Sequence, residues 1–241
     1  MTNTLLIGQI YEGKYELLGR LGSGGIGTVY KALQLDCKRV VALKILHKNY
    51  SVDDEFKTRF LRDAQTLNKL SHANIVNVYH LACSSEGDLF IAMEFIEGRS
   101  LQNILDDGGK LPVLEAVRIT RELASALSHV HAHNIIHRDL KPANIILTDA
   151  PQKNTAKIID FGLARIEETK EQKLTRTGEL VGTPHYMSPE QCKGLKVSEA
   201  SDIYSLTLCF FEMLTGRRPF EADNSVGLMY KHLNESVPNL K

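Results

Sequence analysis

The chain has 241 residues, of which 43% are hydrophobic and 24% charged. This is the make-up of a globular protein able to bury a sizeable core, and it excludes a disordered chain. Its 29 Lys and Arg are matched by 29 Asp and Glu, which leaves neither the basic face of a nucleic-acid binder nor the polybasic patch of a membrane-surface protein.

The first elements in chain order are strands. Residues 15–18 precede a glycine-rich stretch, residues 28–32 alternate in polarity, and residues 40–45 are rich in β-branched types. A helix follows, with Asp53, Asp54 and Glu55 in its first turn and Phe56, Phe60, Ala64, Leu67 and Leu70 near helical spacing. Strands around 75–81 and 89–95 complete a sheet-plus-helix unit. Beyond residue 98 the composition turns helical. Pro112 stands where a first helical residue is tolerated. One stripe, Val113, Val117, Thr120, Ala124 and Leu127, lies beside another, Ala116, Ile119, Leu123, Ala126 and Val130, so this helix is read as apolar over a broad arc and central. Short strands at 145–147 and 157–159, a turn-rich segment at 163–190, and helices at 199–214 and 226–233 follow. The longest apolar runs, 40–46 and 206–214, fall well short of the ~20 residues needed to span a bilayer. Cys37, Cys83, Cys192 and Cys209 are far apart with no C-x-x-C pair, and read as reduced, buried thiols. The expected location is cytoplasmic, or the cytosolic part of a longer protein.

Gly22, Ser23, Gly24, Gly25, Ile26 and Gly27 fit G-x-G-x-x-G. The pattern suits a dinucleotide fold, a flap over phosphates or a plain turn. A dinucleotide site needs a helix next; here a strand follows, so the glycines sit in a hairpin. Lys44 lies in a strand of otherwise buried types, and Asp63 sits close to the apolar stripe of the following helix. A carboxylate there requires a cationic partner, and Lys44 is the candidate. Residues 137–144 concentrate His137, Arg138, Asp139, Lys141 and Asn144 between apolar flanks, and Asp160 directly follows a strand. Asn144 and Asp160 offer the oxygen ligands that suit Mg²⁺. His129 and His133 stand at the i,i+4 spacing of a metal pair, but no accompanying acid completes a zinc pattern.

The ordered set of glycine loop, Val41-Ala42-Leu43-Lys44, His137-Arg138-Asp139, Asp160-Phe161-Gly162 and Ser188-Pro189-Glu190 resembles the protein-kinase catalytic domain. Residues 139–144 and 182–186 resemble its serine/threonine branch, and the glycine loop is most similar to bacterial eukaryotic-like (Hanks-type) members. The resemblance implies an α+β, bilobal fold: an N-lobe at 11–97 with a small antiparallel sheet and one helix, and a mainly helical C-lobe at 98–241 lacking its last helices. It implies ATP with Mg²⁺ or Mn²⁺, protein substrates carrying Ser or Thr, and the possibility of a homodimer for trans-autophosphorylation. Leu21, Gly22, Ser23, Gly24, Gly25, Gly27, Val29, Ala42, Lys44, Met93, Glu94, Ile96 and Ile146 would then line the nucleotide site, with Met93 to Ile96 as the segment whose backbone reads adenine. Asp139, Lys141, Lys44 and Asp63 would form the catalytic set, Asn144 and Asp160 would hold the metal, and Thr175 and Thr177 would be activation-loop phosphosites facing Arg138. Asp202 would anchor the catalytic loop from below, and His131 would be a packing histidine.

Departures from the family pattern set expectations of their own. Asp63 stands where the family has glutamate and is about 1.5 Å shorter in reach. Thr207 occupies a position that is usually glycine, which would crowd helix packing. The chain ends before the helices that supply an arginine to the Ser-Pro-Glu glutamate, here Glu190. That carboxylate is expected to be unpaired, in either a fragment of a longer protein or a truncated domain. A pseudokinase-like binding or scaffold module with weak or no transfer is the alternative these departures support. Ala143, where basophilic relatives carry an acid, argues against a strong demand for arginine near the target residue.

Overall fold

The computed structural model describes residues 6–25, 27–47, 57, 70–149, 154–160 and 184–240. The chain divides into two compact units, Met1–Ser71 with Val76–Ile96, and His72–Ile75 with Glu97–Lys241. The first unit is built on a six-stranded antiparallel sheet. Its strands are β1 (Ile10–Tyr11), β2 (Tyr15–Ser23), β3 (Gly27–Gln34), β4 (Arg39–Leu46), β5 (Val78–Cys83) and β6 (Leu89–Glu94), in the order β1-β2-β3-β4-β6-β5. Alternating side chains send Tyr15, Leu17, Tyr30, Ala32, Val41, Leu43, Phe90 and Ala92 into one buried cluster. Within it the rings of Tyr11 and Tyr15 meet Phe90 edge-on at 5.4 and 5.9 Å, contacts worth about 0.5–1.5 kcal/mol each beyond the area they bury. The Tyr15 hydroxyl, which would otherwise be stranded in that core, hydrogen-bonds His80 Nδ1 at 3.1 Å.

Between β2 and β3 the Gly24 N–H donates to the Gly27 carbonyl at 2.9 Å, closing the hairpin read from the sequence. Gly27 is dictated by close approach, since a Cβ there would lie 2.4 Å from the Ile45 carbonyl oxygen of β4. The predicted strand at 75–81 begins later, at Val78. Ile75 instead forms an isolated parallel bridge to Ile158 in the second unit. The helix expected over 53–70 lies outside the described residues, as does the segment 161–183.

The second unit holds a three-stranded antiparallel sheet of β7 (Gly98–Ser100), β8 (Ile145–Thr148) and β9 (Ala156–Ile158), together with five helices among the described residues. These are α1 (Leu101–Gly108), α2 (Val113–His131), α3 (Pro189–Cys192), α4 (Glu199–Thr215) and α5 (Ser225–Asn234). Pro112 caps α2 from outside instead of opening it. Only the second of the two predicted stripes packs along its whole length. Ala116, Ile119, Leu123, Ala126 and Val130 are fully buried, whereas Val113 and Val117 are 65% and 48% exposed. The apolar arc is therefore narrower than its composition implies at the start of the helix. α4 ends on Gly216 at φ 71°, the left-handed cap that glycine adopts without strain.

Two expectations are corrected and a third is refined. Cys37 lies exposed in the turn between β3 and β4, Cys83 is exposed at the end of β5 and Cys192 is half-buried, so of the four free thiols only Cys209 is buried. Thr207 does not crowd its helix: it is exposed and its hydroxyl donates to the Tyr204 carbonyl at 2.7 Å. Glu190 is half-buried and not left bare, because the Ser201 hydroxyl donates to it. Burial works against its charge, but this bond and neighbouring donors outweigh it and hold the carboxyl below its usual range.

Candidate active site

Strand register assembles one set of predicted residues. Directly opposed residues share a face of a sheet, and Gly22, Val29, Lys44 and Ile91 form one continuous row across β2, β3, β4 and β6. Two residues along, Lys31, Ala42 and Met93 form the next row on the same face. This face is opposite the aromatic core. It collects Gly22, Val29, Ala42, Lys44 and Met93, with Lys44 only 7% exposed. Leu21 lies at a bulge in β2 and is exposed, as are Ser23, Gly24 and Gly25. Gly22 and Gly24 have nothing within 4 Å of a would-be Cβ, so packing inside the described chain gives no reason for glycine at either place. His47 Nε2 bonds the Gly24 carbonyl at 3.1 Å and ties the loop to the end of β4. The Glu94 carboxylate accepts from the N–H and side-chain amide of Asn77, and Ile96 is half-buried.

In the second unit, buried hydrogen bonds do the positioning. Asp202 on α4 is 1% exposed and accepts from the Arg138 N–H through Oδ1 (2.9 Å) and from the His137 N–H through Oδ2 (2.8 Å). His131 Nε2, at 2.8 Å, also donates to Oδ2. His131 is therefore a ligand of the anchor and more than a packing residue. His137 is fully buried. Its Nε2–H points to the Ile159 carbonyl, and its Nδ1 faces the Asp139 N–H at 3.3 Å. Burial lowers the pKa of its imidazole and so favours the neutral ring.

Asp139 sits on this frame. Its Oδ2 accepts from Lys141 Nζ at 2.8 Å and from Asn144 Nδ2 at 3.1 Å. Asn144 Nδ2 also donates to the Asp139 carbonyl at 2.8 Å. With its N–H groups engaged there, the amide oxygen is the group of Asn144 suited to a cation. Asp160 follows β9, with φ 57°, and adds a carboxylate. One amide oxygen and one carboxylate form a hard donor set of the small kind that Mg²⁺ completes with water and phosphate oxygens. Ile146 lies on the face of β8 opposite the buried Ile145 and Leu147. Asp63, Thr175 and Thr177 lie outside the described residues.

Two supporting residues escaped the sequence reading. Glu122 on α2, 8% exposed, accepts from Arg118 at 2.9 Å and from the Ala156 N–H at 2.8 Å. Asn74 donates to the Ala156 carbonyl at 2.8 Å, and its own carbonyl accepts from the Ile158 N–H at 2.9 Å. Together they fix the strand that leads to Asp160. An acid directly beside the buried stripe of α2 was a signal for Glu122; nothing local marked Asn74.

The family model described as the protein kinase domain matches residues 15–240. The chain is 39% identical over 238 residues to the serine/threonine-protein kinase PrkC of Bacillus subtilis, covering 98% of this chain and 36% of that protein. It is 39% identical over 237 residues to the serine/threonine-protein kinase pkn3 of Myxococcus xanthus, covering 96% of this chain and 43% of that one. It thus spans well under half the length of these curated relatives. Among solved structures, the Mycobacterium tuberculosis PknI kinase domain superposes with a TM-score of 0.72 at 28% identity, over 91% of this chain and 81% of that one. A doubly substituted form of the same domain gives a TM-score of 0.74 at 29% identity, over 90% and 79%.

Proposed function

The chain belongs to the protein kinase domain family, and on that premise we propose that it transfers the γ-phosphoryl group of ATP to serine and threonine hydroxyls of proteins. The observation that carries this reading is the Asp139 carboxylate, fixed through Oδ2 by Lys141 and Asn144 on a loop tied to Asp202. Phosphoryl transfer asks a protein mainly for positioning and charge stabilisation, and an aspartate so held suits both. Asp139 orients the substrate hydroxyl and accepts its proton, and Lys141 steadies the γ-phosphate. Lys44 neutralises the α- and β-phosphates beneath the glycine loop, 22–27, while Val29, Ala42 and Ile146 enclose adenine and the backbone from Met93 to Ile96 reads its edge. Asn144 and Asp160 are the proposed holders of a divalent cation, Mg²⁺ or Mn²⁺, which supplies charge neutralisation on the phosphate oxygens. Residues 11–97 and 98–241 are the two functional halves in this reading. Asp63 is the proposed partner of Lys44, and Thr175 and Thr177 are the proposed sites of autophosphorylation, made in trans within a homodimer. A cytoplasmic location is part of the same reading; among the described residues no helix is long and apolar enough to cross a membrane.

The test follows label from γ-labelled ATP into the chain itself and into a generic protein substrate, with Asp139→Asn alongside. Loss of the base should lower incorporation by about 10²–10⁴-fold. A folded wild-type chain that incorporates no label, or an Asp139→Asn variant that matches it, overturns the proposal.

A further inference from the structure

One side chain with no role so far joins the helix after the 161–183 segment to the catalytic loop. We propose that Gln191 is a positioning residue for phosphoryl transfer, its side-chain amide fixing the Arg138–Asp139 peptide from which the catalytic carboxylate is presented. The inference rests on the reading of Asp139 given above.

Gln191 stands at the third position of α3, behind the N-cap Ser188. Its Oε1 accepts from the Ser188 N–H at 2.9 Å, and its own N–H donates to Ser188 Oγ at 3.3 Å, a reciprocal cap. The other end of the amide turns away from the helix, and Nε2 donates to the Arg138 carbonyl at 2.8 Å. The orientation is unambiguous: flipping the amide would set donor against donor at Ser188 and acceptor against acceptor at Arg138. Capping alone is served equally well by glutamate. Only glutamine caps the helix and also offers a donor to the loop.

The carbonyl it holds is a demanding one. Arg138 has φ 67°, a left-handed conformation that a residue with a side chain keeps only where its surroundings impose it. Among the described residues, the Arg138 N–H on Asp202 Oδ1 and the Arg138 carbonyl on Gln191 both hold it there. That carbonyl shares a planar peptide group with the Asp139 N–H, whose hydrogen faces His137 Nδ1. Gln191 thus holds one edge of the plane and His137 the other. Loss of the Gln191 tether frees the plane to rotate, which moves the Asp139 Cα and its carboxylate without removing any group that touches substrate.

The experiment compares wild type with Gln191→Glu. The substitution keeps the cap but puts a carboxylate oxygen against the Arg138 carbonyl. We expect kcat to fall by up to about 10²-fold, the cost of a misplacement near 1 Å. KM for ATP should stay close to wild type and the unfolding temperature should fall only slightly, by the loss of one hydrogen bond. Amide hydrogen exchange at Asp139 should accelerate while exchange within α3 stays unchanged. Unchanged kcat with unchanged exchange at Asp139 overturns the proposal. So does a loss of kcat accompanied by a much lower unfolding temperature and faster exchange throughout, since that is general destabilisation. If Gln191→Glu does not fold, Gln191→Met, which has similar reach but loses both the cap acceptor and the donor, is read by exchange at Asp139 alone. If wild type itself transfers no phosphate, the kinase reading fails, yet exchange at Asp139 still decides for or against the tether.

Discussion

The sheet of the first unit and the catalytic loop of the second place polar side chains by different means. Along the sheet, Lys44 is aligned with Gly22 and Val29 by ladder register, and each residue of four strands contributes a little to that alignment. In the loop, a few buried groups make most of the ties: Asp202 takes three N–H donors, while His137 and Asn144 each reach Asp139. A distributed arrangement tolerates the loss of one side chain and is broken where the backbone is forced apart. A concentrated one fails when any single acceptor goes, because buried donors are left without partners.

This contrast orders the expected effects. Asp202→Ala should be the most damaging change, stranding His131 Nε2 and two backbone N–H groups in a buried site. A loss on the order of 3–5 kcal/mol is expected, read as a shifted midpoint in urea unfolding together with loss of transfer; an unchanged midpoint would mean that the loop holds itself. Gly27→Ala attacks the sheet where it cannot yield, against the Ile45 carbonyl. It should cost about 1–3 kcal/mol, and a variant as stable as wild type would show that β3 and β4 can separate cheaply.

The pH dependence comes next. Burial depresses the folded pKa of His137 below its ordinary value of 6.5. As pH falls below 6.5 the unfolded chain takes up a proton that the folded chain refuses, so stability declines until the folded pKa is reached and then levels off. Burial is also the leading cause of the same downward shift at His72, His80, His185 and His232. Thermal unfolding from pH 8 to 5 should therefore show a falling unfolding temperature, and His137→Gln should flatten part of that slope. The smallest effect is reserved for Thr207→Gly. If threonine crowded the helix, glycine would stabilise; because the side chain is exposed and bonded to its own turn, glycine should instead cost less than about 1 kcal/mol.

The parts legible in the sequence were those whose cause is local. Alternation after Gly27 marked a hairpin, and the span of α4 was read to within a residue, because a long helix repeats its pattern and Gly216 punctuates its end. α1 went unread: with only Leu101 and Leu105 buried over eight residues, its periodicity is too brief to register. The cysteines were misjudged because burial depends on where a turn falls, and Cys37 falls in one. The polar residues of the site stood out by type amid apolar flanks. Their supports did not, since Asn74 reaches a residue 82 positions away and Gln191 one 53 positions away, and nothing within a short window announces such a pairing.

The short excursion His72–Ile75 has a practical consequence. These four residues belong to the second unit although the chain on either side of them belongs to the first. A gene cut at residue 96 would therefore not yield two complete pieces. The downstream fragment would lack the Ile75 bridge to Ile158 and both Asn74 bonds to β9. Chimeras that exchange the second unit with a relative need residues 72–75 transplanted along with it, as a graft stitched into the other half. The two units are not interchangeable cassettes but interleaved portions of one chain.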